Sequence, residues 1–267
     1  MTETVQSIDP AVIGRVIEAN LNAYRLSFGC LPGAEVHRDD RVVWIDSGVA
    51  DGTYNVVVWE NFDATEIDAG IESTLAHFRA RSRPLGWYVG PGTRRADLGE
   101  RLLAHGMSFD EEEPRMAVEL AEMREDVAAP AALTVEEARD ERGLREWIDV
   151  WLFPAPEEVC RVHFEVRRVR GIGVELPWKY FLGRLDGKPV ATSELFAAEG
   201  VVGVNYVVTL PAVRRQGIGT AMTLPAMREG RDMGCQVGVL EASPEGIGSY
   251  RRIGFEEYCR FQRYEWG

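Results

Sequence analysis

The stretch that most constrains this chain runs from Val207 to Thr220, where a β-branched run ends at Leu210-Pro211, a basic turn follows, and Gly217 and Gly219 open a helix-forming segment. Proline donates nothing to a strand ladder, so the strand stops there. The unpaired amides of a helix start, backed by the helix dipole, attract phosphate oxygens. Gly217 and Gly219 carry no side chain to obstruct a pyrophosphate, and Arg214 and Arg215 add charge where phosphates would sit. Taken alone, the pattern is equally that of a glycine-rich strand-to-helix turn with solvated arginines.

A second pattern follows it. Leu240-Glu241-Ala242-Ser243-Pro244 ends another strand, and Tyr250 leads into Arg251-Arg252-Ile253-Gly254-Phe255. With both patterns in this order, residues 133–267 resemble the GNAT superfamily of acyl-CoA N-acyltransferases. Arg214 to Gly219 matches its pyrophosphate-binding pattern, Q/R-x-x-G-x-G/A. Ser243 to Phe255 matches its second motif, an Asn or similar residue before a short helix that carries a Tyr and ends in Gly-Phe. The chain departs from the pattern in having Ser243 where the family often has Asn, and in having Pro225 inside the expected helix, where proline kinks or breaks the hydrogen-bond ladder.

The resemblance implies a site. Acetyl-CoA, the acyl donor, is expected to lie on Arg214, Arg215, Gln216, Gly217, Ile218, Gly219 and Thr220. Val207, Val208 and Thr209, splaying from the strand near Glu241, pair with its pantetheine arm, and Ser243 bonds a pantetheine amide. A backbone amide at the splay polarises the thioester carbonyl. Tyr250 protonates the departing thiolate, and a carboxylate accepts the amine proton. Glu194 and Glu241 both fall in predicted strands, and Glu194 is the preferred base. The implied activity is N-acetyl transfer to a primary amine of a small molecule or peptide. The alternative is a protein that binds or senses acyl-CoA without turnover.

Ala128-Ala129-Pro130-Ala131-Ala132 divides the chain as a linker would. Asp9 and Pro10 suit a helix start, followed by an apolar face of Val12, Ile13, Val16, Ile17 and Leu21. After the linker, Thr134 and Glu137 have capping-box spacing, predicting a helix to about Leu152. Glu157 to Arg170 reads as a helix with Val159, Val162, Val166 and Val169 on one face, and Arg167, Arg168 and Arg170 as its solvated end. Strands follow at 180–185, 189–196 and 201–209, with reversals at Asp186-Gly187 and 197–200. A helix from Gly217 to Asp232, a strand at 236–242, a short helix and a closing strand at 255–266 complete an α/β fold, a mixed, mainly antiparallel sheet flanked by helices.

Residues 86–107 repeat the order of 237–255: strand, Gly/Pro turn, short helix, then Gly and a large apolar residue. Met116 to Leu120 is then the first copy's last strand, as Arg263 to Trp266 is the second's. Ahead of the first copy, Phe62 to Asp68 holds three acids and no glycine pair, and no tyrosine matches Tyr250. The expectation is two GNAT-like domains in tandem: a degenerate one at 1–127 without a coenzyme motif, and a catalytic one at 133–267.

Charge agrees with that asymmetry. Residues 1–127 carry 12 basic against 23 acidic side chains, while residues 128–267 carry 18 against 20. An acidic chain is a poor nucleic-acid binder, so no nucleic-acid partner is expected. No apolar run is long enough to span a membrane, and the amino end lacks a signal pattern, so a cytoplasmic protein without a membrane partner is expected. Four scattered cysteines and four histidines show no ligand spacing, so no metal is expected. A homodimer is left open. His105 and His163 read as packing or exposed residues, and Trp44, Trp59, Trp87, Trp147, Trp151 and Trp178 as core.

Overall fold

In the computed structural model, which describes residues 5–173 and 175–267, the chain runs through α1 (Ile13–Leu26), β1 (Glu35–Arg38), β2 (Val42–Asp46), β3 (Val56–Glu60), α2 (Ile67–Arg79), β4 (Leu85–Val89), α3 (Leu98–Ala104) and β5 (Ser108–Glu119). It continues through β6 (Leu133–Glu137), α4 (Glu141–Trp151), α5 (Glu157–Arg170), β7 (Trp178–Leu185), β8 (Lys188–Ala198), β9 (Val201–Thr209), α6 (Ile218–Asp232), β10 (Val237–Glu241), α7 (Ile247–Arg252) and β11 (Glu256–Trp266). Two compact units result. The larger comprises Met1–Asn20 and Arg115–Tyr258, the smaller Leu21–Pro114 and Cys259–Gly267.

The sheet of the larger unit has the order β5-β10-β9-β8-β7-β6. Its β9 and β10 are parallel, and the remaining neighbours pair antiparallel. Asp186-Gly187 and Glu199-Gly200 all have positive φ, the backbone of two-residue hairpin turns. On one face Leu144, Trp147, Ile148 and Phe164 of α4 and α5 pack with Tyr180 and Leu182. Successive strand residues alternate faces, and Phe181 joins a second core with Leu195, Val204, Met222 and Met227 of β8, β9 and α6, and with Tyr250 and Phe255. The smaller unit repeats the plan as β1-β2-β3-β4-β11, with β3 and β4 parallel.

The compact units do not follow the expected boundary, since residues 128–132 lie inside the larger unit. The two closing strands are also exchanged. Met116 to Glu119 register against Leu240 to Val237, and Arg263 to Trp266 against Tyr88 to Leu85. Met116 and Val118 thus bury in the core of the larger unit, and Tyr264 in that of the smaller. Both strands mix apolar with charged residues and both follow a short helix, so local pattern alone does not choose between the two pairings.

Three further expectations change. Thr134 and Glu137 lie in β6, paired with β7, and the helix starts later, where the Asp140 carboxylate accepts from the Gly143 amide at 2.7 Å. The inward face of α5 is Cys160, His163, Phe164, Val166, Arg167 and Arg170, while Val159, Val162 and Val169 face out. The two arginines are therefore core residues rather than a solvated helix end. Trp59 is exposed. Pro225 is accommodated within a continuous α6, and the Ser193 hydroxyl donates to the Met222 carbonyl at 2.8 Å, within the turn that proline disturbs.

Candidate functional site

Between β9 and α6 the chain makes a short 3₁₀ turn at Pro211–Val213, then passes through left-handed Arg215 (φ 63°) and Gly217 (φ 80°). The Arg214 Nε donates to the Thr209 carbonyl at 3.0 Å, while Arg214, Arg215 and Gln216 are exposed. The first i to i−4 bond of α6 runs from Ala221 to Gly217 at 3.0 Å. The amides of Ile218, Gly219 and Thr220 precede it, and no side chain caps the helix. The two glycines differ in kind. A β-carbon on Gly217 would lie 1.8 Å from the Ala128 carbonyl oxygen, whereas one on Gly219 would meet only Thr209 Oγ1, at 3.6 Å. Gly217 serves the fold, and Gly219 leaves space above the helix start.

The strand leading into this turn parts from its parallel neighbour. β9 pairs with β10 from Val201 to Val204, ending at Leu240, and continues alone on that side to Thr209. Against β8 its register slips: Glu194 faces Asn205, yet Thr192 faces Val208. Tyr206 and Val207 thus oppose Ser193 alone, a β-bulge with Tyr206 in the left-handed region at φ 51°. Asn205 to Thr209 are partly exposed where Val201 to Val204 are buried. An edge of backbone amides and carbonyls therefore opens beside the start of α6.

At the end of β10, Ser243 caps the turn into α7. Its carbonyl accepts from Gly246 and Ile247, and its Oγ lies 3.2 Å from the Gly246 amide. The Tyr250 ring covers the same turn, because a β-carbon on Gly246 would lie 3.0 Å from its Cε2 and 3.3 Å from Ser243 Oγ. Val207, Leu210, Val213, Ile218, Ile247 and Tyr250 belong to one core. Burial, with the Glu241 carboxylate adding to it, pushes the Tyr250 phenol up to about 12. Glu241 is the last residue of β10, 43% exposed, and pairs with the buried Arg115 at 3.0 Å.

Glu194 is elsewhere. It is fully buried on the face covered by α4 and α5, hydrogen-bonded by Arg170 at 2.8 Å and ion-paired with Arg167 at 3.8 Å. The two candidate bases thus differ in setting: Glu194 is enclosed with two arginines, and Glu241 ends β10 in an exposed position. The surrounding cluster was not foreseen. The Arg167 guanidinium stands 4.2 Å from the Trp151 ring and 5.0 Å from that of Tyr206, and the Arg170 guanidinium 4.2 Å from Trp178. Its sequence signal was the step from Cys160 through Phe164 to Arg167 and Arg170, a second helical face set one position from the valines.

The smaller unit offers a contrast. Ahead of α2, the Asp63 carboxylate accepts from the Thr65 amide and hydroxyl, both at 2.8 Å, and from the Glu66 amide at 3.1 Å. These bonds, Thr65's first, hold its carboxyl below the usual range. A carboxylate already occupies the place where an anion would bind.

The fold is shared with GCN5-related acetyltransferases of known structure. A GCN5-related N-acetyltransferase from Kribbella flavida superposes with a TM-score of 0.73 at 22% identity, over 94% of each chain. One from Sphaerobacter thermophilus gives 0.62 at 15% identity, over 98% of this chain and 94% of that one. A tandem GNAT protein from the clavulanic acid biosynthesis pathway gives 0.61 at 14% identity, over 96% and 94%. No curated protein matches the sequence. Residues 136–255 match the model of the Acetyltransferase (GNAT) family.

Proposed function

We propose that the larger unit transfers an acetyl group from acetyl-CoA to a primary amine of a small molecule or peptide, and that the smaller unit is a degenerate copy without a coenzyme site. The observation that carries this reading is the uncapped start of α6, open above Gly219 and flanked by two exposed arginines, beside the unpaired edge of β9. The amides of Ile218, Gly219 and Thr220, with Arg214 and Arg215, hold the pyrophosphate, and Gln216 borders it. Val207, Val208 and Thr209 pair with the pantetheine amides, and Ser243 with one more. Acetyl-CoA supplies the thioester.

The reaction forms an N–C bond and breaks the C–S bond, so one proton leaves the amine and one reaches sulfur. Glu241 takes the first, directly or through water, because its exposed carboxylate stands where the strands part. Tyr250 donates toward the leaving sulfur, and its elevated pKa keeps it protonated throughout the neutral range. An amide of the β9 edge stabilises the charge that develops on the thioester oxygen.

The test is free-thiol release from acetyl-CoA in the presence of amino acids, polyamines, aminoglycosides and amine-terminated peptides. The expected result is release that depends on one amine class, with the acetylated amine detected in equal amount by mass spectrometry. Tight coenzyme binding with no release for any class moves the protein to the binding or sensing reading.

A further inference from the structure

We infer that Arg167, anchored by Glu194, is a positioning residue that holds the β9 bulge and thereby sets the edge along which an acyl-CoA lies. The inference rests on the coenzyme site proposed above. It begins from Tyr206, whose left-handed backbone is disfavoured for a residue with a β-carbon. The surroundings must hold such a residue in place. The Thr192 hydroxyl donates to the Tyr206 carbonyl at 2.9 Å, fixing the backbone from β8. The ring is gripped from the other side. Its centroid is 4.5 Å from that of Trp151 and 6.0 Å from that of Trp147, and the Arg167 guanidinium stands 5.0 Å away.

Arg167 is central to this grip. It is fully buried and faces the rings of Trp147, Trp151 and Tyr206 together. A cation desolvated against aromatic faces interacts with them more strongly than one in water. The anchor comes from β8: Glu194 binds Arg170 through one oxygen and attracts Arg167 through the other. Glu194 sits directly across from Asn205, immediately before the bulge. The same carboxylate thus lies beside the bulge in register and restrains the arginine that holds the bulge's ring.

The bulge falls where the site opens. Pairing with β10 ends at Val204, two residues before Tyr206, and the proposed pantetheine edge starts at Val207, one residue after it. Relaxing Tyr206 to an ordinary strand conformation would remove the extra residue and reverse the faces of the residues beyond it. The start of α6 would keep its own turn and glycines. Arg167 therefore acts on the pantetheine part of the site rather than on the pyrophosphate part.

Calorimetry on the full chain with two probes separates these parts: CoA, which reaches both, and ADP, which has adenosine and the pyrophosphate but no pantetheine arm. Arg167→Met is expected to weaken CoA by about tenfold or more relative to ADP, a coupling in the range usual for residues in contact. Should Arg167→Met not fold, Arg167→Gln, which likewise removes the charge and leaves the Arg170–Glu194 pair in place, is read in the same way. Adding Tyr206→Gly to either is expected to restore the CoA-to-ADP ratio, because glycine adopts the left-handed backbone unaided. An unchanged ratio in the folded variant, or no rescue by glycine, overturns the inference. If the unaltered protein binds neither probe, the coenzyme site itself is wrong, a result distinct from failure of the positioning role.

Discussion

Replacing Tyr250 by phenylalanine removes one oxygen from a ring that otherwise stays packed on Phe255, with centroids 6.0 Å apart. If that oxygen donates to the leaving sulfur, turnover is expected to fall by about 10- to 1,000-fold, the scale of a lost acid–base group with water as substitute. Affinity for acetyl-CoA should hold, since the thioester sulfur carries no charge. The pH profile gives a second check. A phenol raised to about 12 stays protonated as pH rises, so the unaltered enzyme should lose no rate to tyrosine ionisation below about pH 10. Unchanged turnover in Tyr250→Phe would return the residue to packing. Glu241→Gln keeps the shape of the side chain and removes the proposed base. Its rate should fall by about 100-fold with coenzyme affinity intact, and a rate equal to the original would assign the proton to solvent.

At the scale of elements, the start of α6 separates two roles that the glycine motif merges. Gly219→Glu should fold normally, because the added β-carbon meets only Thr209 Oγ1, and should lose CoA binding through bulk and charge. Gly217→Ala should do the reverse. Positive φ and the nearby Ala128 carbonyl are expected to cost the fold about 1–3 kcal/mol, read as a lower melting temperature. Equal melting temperatures for Gly217→Ala and the unaltered chain would contradict the contact with Ala128. The helix and strands around this turn were legible because each rests on local chemistry: proline ends β9, glycines open α6, and Asp-Gly and Glu-Gly reversals set the hairpins. The face of α5 was not. Valine and arginine faces there differ by one residue, about 100° of rotation, and the partners of the buried arginines, Glu194 and the rings of Trp151, Tyr206 and Trp178, come from other elements.

For the molecule as a whole, the two units share the order of five strands yet differ at one helix start. The amides ahead of α2 are occupied by Asp63, while those of α6 are open. A saturating CoA titration should therefore give one site per chain. Two equivalent sites would show that Asp63 yields to phosphate. The expected tandem plan appears in the repeated parallel pairs β3/β4 and β9/β10, but each unit takes its closing strand from the other half of the sequence.

What the sequence determined by itself is whatever depends on neighbours along the chain. The glycine-bearing turn at 214–220, the Ser243 to Phe255 motif, the hairpins and the charge contrast between halves all follow from local backbone preferences and residue chemistry. Only the tertiary structure decided which closing strand joins which sheet, which face of α5 is buried, and which carboxylate is left accessible. Those outcomes turn on partners distant in the chain. Glu194 and Glu241 look alike as strand glutamates, but the first meets two buried arginines on a helix 24 to 27 residues earlier, and the second ends its strand in solvent beside Arg115. Burial and pairing energies depend on what surrounds a group in space, and strand periodicity carries no record of that.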